Sequence, residues 1–206
     1  IKSSAASDVY KRQTLGKGRL RFHLDNGTEL VLYRGEAKQF RMREGSTLSD
    51  EEEHQLIYEV VGKRAKRRTM HLLEQMDRTE QQLREKLKQG GYPQACIDLA
   101  LEYVKSFHYV DDYRYACTYI NYRQDRMSRY QLKVKLYGKG VSGELVDRAL
   151  EECYEGDEQD QIIRLLEKKK FDAQNSDPKE FTRVYQYLMR RGFRSNDVLR
   201  AMKSKQ

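Results

Sequence analysis

Three stretches of the chain align with one another without a gap: QQLREKLKQGGYPQACIDLALEYV at 81–104, YQLKVKLYGKGVSGELVDRALEEC at 130–153 and TRVYQYLMRRGFRSNDVLRAMKSK at 182–205. An internal repeat of this length restricts the fold to tandem copies of one supersecondary unit. Leu83, Leu132 and Val184 correspond, as do Leu87, Leu136 and Leu188, and residues four apart lie on one helix face. Gly91, Gly140 and Gly192 then stand where that helix should end in the left-handed conformation, and Tyr92, Val141 or Phe193 follows to cover its last turn. Ile97, Val146 and Val198, then Ala100-Leu101, Ala149-Leu150 and Ala201-Met202, supply the buried stripe of the next helix. The repeating element is therefore helix, glycine, helix.

A further helical stretch precedes each copy, at 63–76, 113–125 and 159–171. In the second of these, Tyr115, Tyr119 and Tyr122 recur in helical period and are expected to form a core stripe. The chain thus reads as mainly α: three tandem three-helix units, about nine helices, arranged as an elongated body. Pro93 and Pro178 suit first turns of helices. Ahead of the repeats, Arg19–Tyr33 alternates apolar and polar around Asn26-Gly27, which predicts a β-hairpin closed by a two-residue type I′ turn. Ser49 and Glu52 form a capping box where the helical region begins. Residues 1–13 show no helical or strand period and are set aside as a non-native or disordered leader. The expected divisions are a small β element at 14–48 and three-helix units at 49–111, 112–156 and 157–206.

Composition narrows the function classes. The 206 residues are 38% hydrophobic, and no apolar run reaches the roughly 18 residues of a membrane span, so a cytoplasmic protein is expected; a monomer is expected as well. Cys96, Cys117 and Cys153 are widely spaced, which argues against a disulfide framework or zinc site. His23, His54, His71 and His108 are scattered, and phosphate loops, nucleophile elbows and paired catalytic carboxylates are missing, so neither an enzyme nor a cofactor is expected. Asp111 and Asp112 are adjacent, but neighbouring helical residues point about 100° apart and seldom converge on one ion. They are expected to cap and polarise the start of a helix, with Arg114 toward solvent and Tyr115 toward the core.

The net charge of +8 directs attention to polyanionic partners. Cations flank the helix–glycine–helix joint in every copy: Lys86 and Lys88, Lys135 and Lys139, Arg190 and Arg191, with Arg194 beyond. Arg64, Lys66, Arg67 and Arg68 form a basic run, and Arg123, Arg126, Arg129 and Lys133 surround the second copy. A solvated helix face explains any single one of these; their recurrence suggests a positive ridge. Interleaved tyrosines are better explained by the core than by base stacking.

The stretches FHYVDDYRYA (107–116), SRYQLKVKLYGKGVSGELVDRALEE (128–152) and RTEQQLREKLKQGGYPQACIDLALEYV (78–104) resemble the RecX family, regulators of the bacterial RecA recombinase. The similarity runs from about Arg19 to Met202, with His108 where the family commonly has glycine and the third copy the weakest match. The resemblance implies a non-enzymatic protein that lies in the groove of the RecA–DNA filament. There it would restrain ATP hydrolysis, strand exchange and co-protease activity, in DNA repair and the SOS response. It also implies one more strand before the hairpin, so the sheet is expected to be incomplete here. Two other classes remain open: a helical DNA-binding protein acting on naked single- or double-stranded DNA without RecA, and a metal-dependent nuclease using Asp111 and Asp112.

Overall fold

The structure, a computed structural model, describes residues 6–204. Residues 6–13, set aside above, belong to the fold: they make up most of β1 (Ala6–Gly16), which pairs antiparallel with β2 (Arg19–Leu24). β3 (Glu29–Tyr33) and the short β4 (Thr47–Ser49) complete a sheet in the order β3-β2-β1-β4. The strand implied before the hairpin is therefore present, and the sheet is not short of it. β1 escapes pattern reading because Val9 is the one large aliphatic residue of its first half; it is fully buried where it meets Leu24, whereas the neighbouring Tyr10 is exposed. Residues 1–5 of the expected leader lie outside the described residues.

The hairpin forms with the expected strands but a different turn. Gly27 adopts φ +84° and Asn26 does not share that region. The Gly27 N–H donates to the Leu24 carbonyl (3.0 Å) and the Leu24 N–H to the Thr28 carbonyl (2.9 Å), which makes a three-residue loop with a bulged glycine. Asn26 is otherwise engaged: its Oδ1 accepts from the Thr28 N–H, and its Nδ2 donates to Ser7 Oγ and Glu53 Oε1. A helix not foreseen in this region, α1 (Arg34–Gln39), follows β3 and is held by Glu36, which accepts from the Tyr33 N–H at 2.8 Å.

Ser49 and Glu52 form the expected capping box at the start of α2 (Asp50–His54). A π-helical stretch, Gln55–Val61, then leads into α3 (Gly62–Gln75). The Cys96 thiol donates to the Ile57 carbonyl at 3.3 Å, and a Cβ on Gly62 would approach Leu99 Cδ2 at 2.9 Å. A close approach at Gly62 thus lets α3 reach α5 (Gln94–Ser106), with α4 (Glu80–Gln89) between them in sequence. Pro93 sits at the N-cap of α5, one residue before the first turn.

The chain divides into two compact units, Ile1–Asp111 and Asp112–Gln206. In the first, the sheet and the first repeat share one core in which Phe22, Leu24, Leu30 and Leu32 meet Leu83, Leu87, Ile97 and Leu101. The second holds α6 (Asp112–Arg123), α7 (Arg129–Tyr137) and α8 (Gly143–Cys153), then α9 (Glu158–Lys168), α10 (Pro178–Arg190) and α11 (Ser195–Ser204). Each of these two repeats closes its own core, around Ile120, Leu132, Leu136 and Val146 in one and Ile162, Leu166, Leu188 and Val198 in the other. Full burial of such a side chain contributes about 1.5–3 kcal/mol.

The repeated glycines behave as the alignment requires, at φ +78°, +83° and +79° for Gly91, Gly140 and Gly192. At the first two joints a Schellman motif closes the helix: the Tyr92 N–H donates to the Leu87 carbonyl and the Val141 N–H to the Leu136 carbonyl, both at 3.2 Å. The tyrosine stripe of α6 meets the expectation in part: Tyr115 and Tyr119 are half-buried and pack against the core of the second repeat, and Tyr122 does not. Ala116 and Ile120 are the residues fully buried there, while Tyr122 is 83% exposed. The stripe is offset by one residue, about 100° around the helix, from the face that meets α8.

Candidate functional site

Asp112 opens α6 and contributes its charge to the first turn; Asp111 directly precedes it, and Arg114 faces solvent. Among the described residues, no group of three or more His, Cys, Asp or Glu is placed to hold a metal ion. The chemistry on offer is that of cations and aromatic rings.

In the second unit, the joint between the second and third repeats gathers several of the sequence candidates. Ser128 is fully buried at the N-cap of α7; its hydroxyl oxygen accepts from the Gln131 N–H (3.2 Å), and its O–H donates to the Arg191 carbonyl at the end of α10 (2.6 Å). One side chain thus starts a helix and fastens two repeats together. The next residue, Arg129, donates its backbone N–H to Glu158 Oε1 at 2.8 Å, and its guanidinium lies 5.8 Å from the Tyr154 ring centre. Tyr130 packs its ring over Gly192, where any Cβ would overlap it. Arg129, Tyr130, Lys133, Glu158, Gly192 and Arg194 together line a pocket of about 260 Å³.

Other candidates divide into those bound to the protein and those presented to solvent. Lys133 is ion-paired with Asp147 of α8, which raises its pKa, and sits 5.7 Å from the Tyr137 ring. Lys139 lies over the stacked rings of Tyr115 and Tyr119, at 5.9 and 5.2 Å, and Arg123 over Tyr119 at 5.4 Å. Arg191 lies 4.8 Å from the Tyr187 ring centre, and a second cation, Lys169, lies 4.7 Å from it. Arg126, Lys135, Arg190 and Arg194 are exposed. Along α7, Tyr130, Val134 and Tyr137 share one face and remain exposed.

In the first unit, Arg64 proves to be an internal clamp. Its guanidinium binds the Glu36 carboxylate and the Val31 carbonyl and rests on Tyr33 and Tyr92, 5.0 and 5.5 Å from the ring centres. Burial pushes the Tyr92 hydroxyl pKa up, against the nearby Arg64 charge. Lys66 covers Tyr103 at 5.1 Å, whereas Arg67, Arg68, Lys86 and Lys88 are exposed. A cluster that sequence reasoning missed lies beside β1: Arg12 of the strand, Arg34 and Lys38 of α1, and Arg41 and Arg43 of the loop after it line one groove. The available signal was charge density, since residues 6–48 carry nine Lys and Arg against five Asp and Glu. Setting aside residues 1–13 removed Arg12 from it, and the other four share no period.

Comparison with known proteins places these units. The first, second and third three-helix domains of RecX match residues 65–103, 111–150 and 156–202. The regulatory protein RecX of Caldanaerobacter subterraneus subsp. tengcongensis is 28% identical over 163 residues, 78% of this chain and 80% of that protein. That of Geobacillus kaustophilus is 32% identical over 159 residues, 75% of this chain and 59% of its own length. A crystal structure of regulatory protein RecX superposes with a TM-score of 0.63 at 21% identity, covering 93% of this chain and 96% of that one, and so shares the fold. With three consecutive family domains matched in order, the chain belongs to the RecX family of regulatory proteins.

Proposed function

We propose that the chain is a non-enzymatic regulator that binds a RecA–DNA filament and mainly inhibits its ATPase, strand-exchange and co-protease activities. The observation that carries this reading is the joint of the second and third repeats, where Arg129, Lys133 and Arg194 surround a small pocket beside the exposed Tyr130, Val134 and Tyr137. Cations alone suit any polyanion. Tyrosine and arginine exposed together are characteristic of protein interfaces, so this face fits a surface made of both protein and nucleic acid. Several weak contacts of this kind acting together give tight binding to a repeating partner.

Arg126, Arg129 and Arg194 are exposed, and no carboxylate pairs with their guanidinium groups among the described residues. Lys133 is left in place, because its reversal would set a carboxylate against Asp147. In the triple variant Arg126→Glu, Arg129→Glu, Arg194→Glu, affinity for RecA filaments formed on single-stranded DNA should fall at least tenfold with helicity unchanged. Fluorescence anisotropy and circular dichroism read the two quantities. Wild-type affinity in that variant contradicts the assignment of this face. The naked-DNA reading instead expects tight binding to DNA without RecA and a steep loss of affinity with salt.

A further inference from the structure

We propose that the groove beside β1 binds an extended acidic peptide segment of a partner protein, which adds as a further strand to the open edge of β1. β1 pairs with β2 as far as Gly16 but with β4 only at Ala6–Asp8. Residues 11–16 therefore have a strand on one side and, among the described residues, none on the other. An edge of this kind presents unpaired N–H and C=O groups that an extended chain can satisfy.

The groove next to that edge holds about 1000 Å³, a size suited to a stretch of polymer. Leu20, Phe40 and Met42 give it an apolar floor, and Arg12, Arg34, Lys38, Arg41 and Arg43 stand around it with a single carboxylate, Glu52. Glu52 is committed to the Ser49 cap. All five cations are exposed, and none is ion-paired with a carboxylate among the described residues. Arg41 holds its place at a cost. It occupies the left-handed position after α1 at φ +52°, fixed by Arg41 N–H to Lys38 carbonyl (3.2 Å) and Met42 N–H to Ala37 carbonyl (2.8 Å). A side chain there is strained relative to glycine.

Charge selects the occupant. A second copy of the edge would bring arginine against arginine, so the cations that prevent self-pairing favour an acidic strand. A nucleic-acid strand is the weaker fit, because stacking of successive bases needs a series of exposed rings, and the groove offers only the half-buried Phe40. This inference concerns other residues than the filament-binding face, so the two can fail separately.

The test uses the full chain and a labelled ten-residue peptide alternating glutamate and valine, read by fluorescence anisotropy. Binding should weaken at least tenfold in Arg12→Glu, Arg41→Glu, Arg43→Glu, and at least tenfold when the peptide is N-methylated at every second residue. On the unaltered protein, hydrogen–deuterium exchange at residues 11–16 should slow when peptide is added, which needs no variant to fold. Equal binding of the N-methylated peptide, unchanged exchange at 11–16, or preferential binding of a thymidine oligonucleotide that is lost in the same variant would each overturn the proposal.

Discussion

Gly192 and Lys170 show how much a single backbone position decides. Both occupy left-handed helix ends, at φ +79° and +54°. Gly192 has a second duty, because Tyr130 lies directly on it. Gly192→Ala should therefore destabilise the second unit by about 1–2 kcal/mol from backbone strain alone, with the ring overlap added. Lys170→Gly should stabilise it by up to about 1 kcal/mol. Thermal or urea unfolding measures both, and opposite signs at two chemically similar helix ends are the discriminating result. Arg64 belongs to the same scale. Its removal leaves the half-buried Glu36 without its ion pair, so Arg64→Ala should cost about 1–3 kcal/mol of stability in the first unit. An effect on partner binding with stability unchanged would contradict the clamp. Sequence patterning identified Gly192 and could not separate Arg64 from Arg67. The clamp depends on Glu36, Val31, Tyr33 and Tyr92, which are distant in sequence and meet only in the folded unit.

At the scale of elements, α4 and α5 are tied by charge as well as by their core. Glu80 accepts from Lys105 (2.8 Å) and Arg84 (3.1 Å), and Arg84 also reaches Asp98 (2.6 Å). The Lys105 hydrogen bond holds the Glu80 carboxyl below its usual pKa, and the Arg84 hydrogen bond does the same for Asp98. A carboxyl depressed on folding adds stability above its unfolded pKa of about 4, and that stability disappears as pH falls through the folded value. The protein and Glu80→Gln should accordingly differ near pH 6, by less than about 1 kcal/mol given the exposure of the pair, and converge as the pH falls below the lowered folded value. A difference that does not shrink as the pH falls would mean that Glu80 acts through packing. Helices were the most legible elements, since leucines four apart and a terminal glycine state both face and end. β1 was illegible for the converse reason: its place comes from pairing with β2 and β4, and its own residues carry little apolar pattern. The Asn26-Gly27 turn was half legible. Glycine declared the positive φ, but the asparagine side chain found partners at Ser7, Thr28 and Glu53 that no local rule contains.

Across the whole molecule, three family domains follow a basic sheet, and two of the places where cations gather were weighted unequally by sequence reading. The cations of the second unit were singled out because they recur with the repeat. The groove of the first unit was overlooked because its five cations come from β1, α1 and the loop after it and share no period. None of the helices among the described residues is long and apolar enough to cross a membrane. The central claim, that this chain restrains a recombinase filament, is tested most directly by RecA ATP hydrolysis on single-stranded DNA with the protein added well below stoichiometry. The expected result is a progressive fall in hydrolysis, abolished by Arg126→Glu, Arg129→Glu, Arg194→Glu. An unchanged hydrolysis rate, with the protein folded and present at up to equal stoichiometry, would contradict the claim.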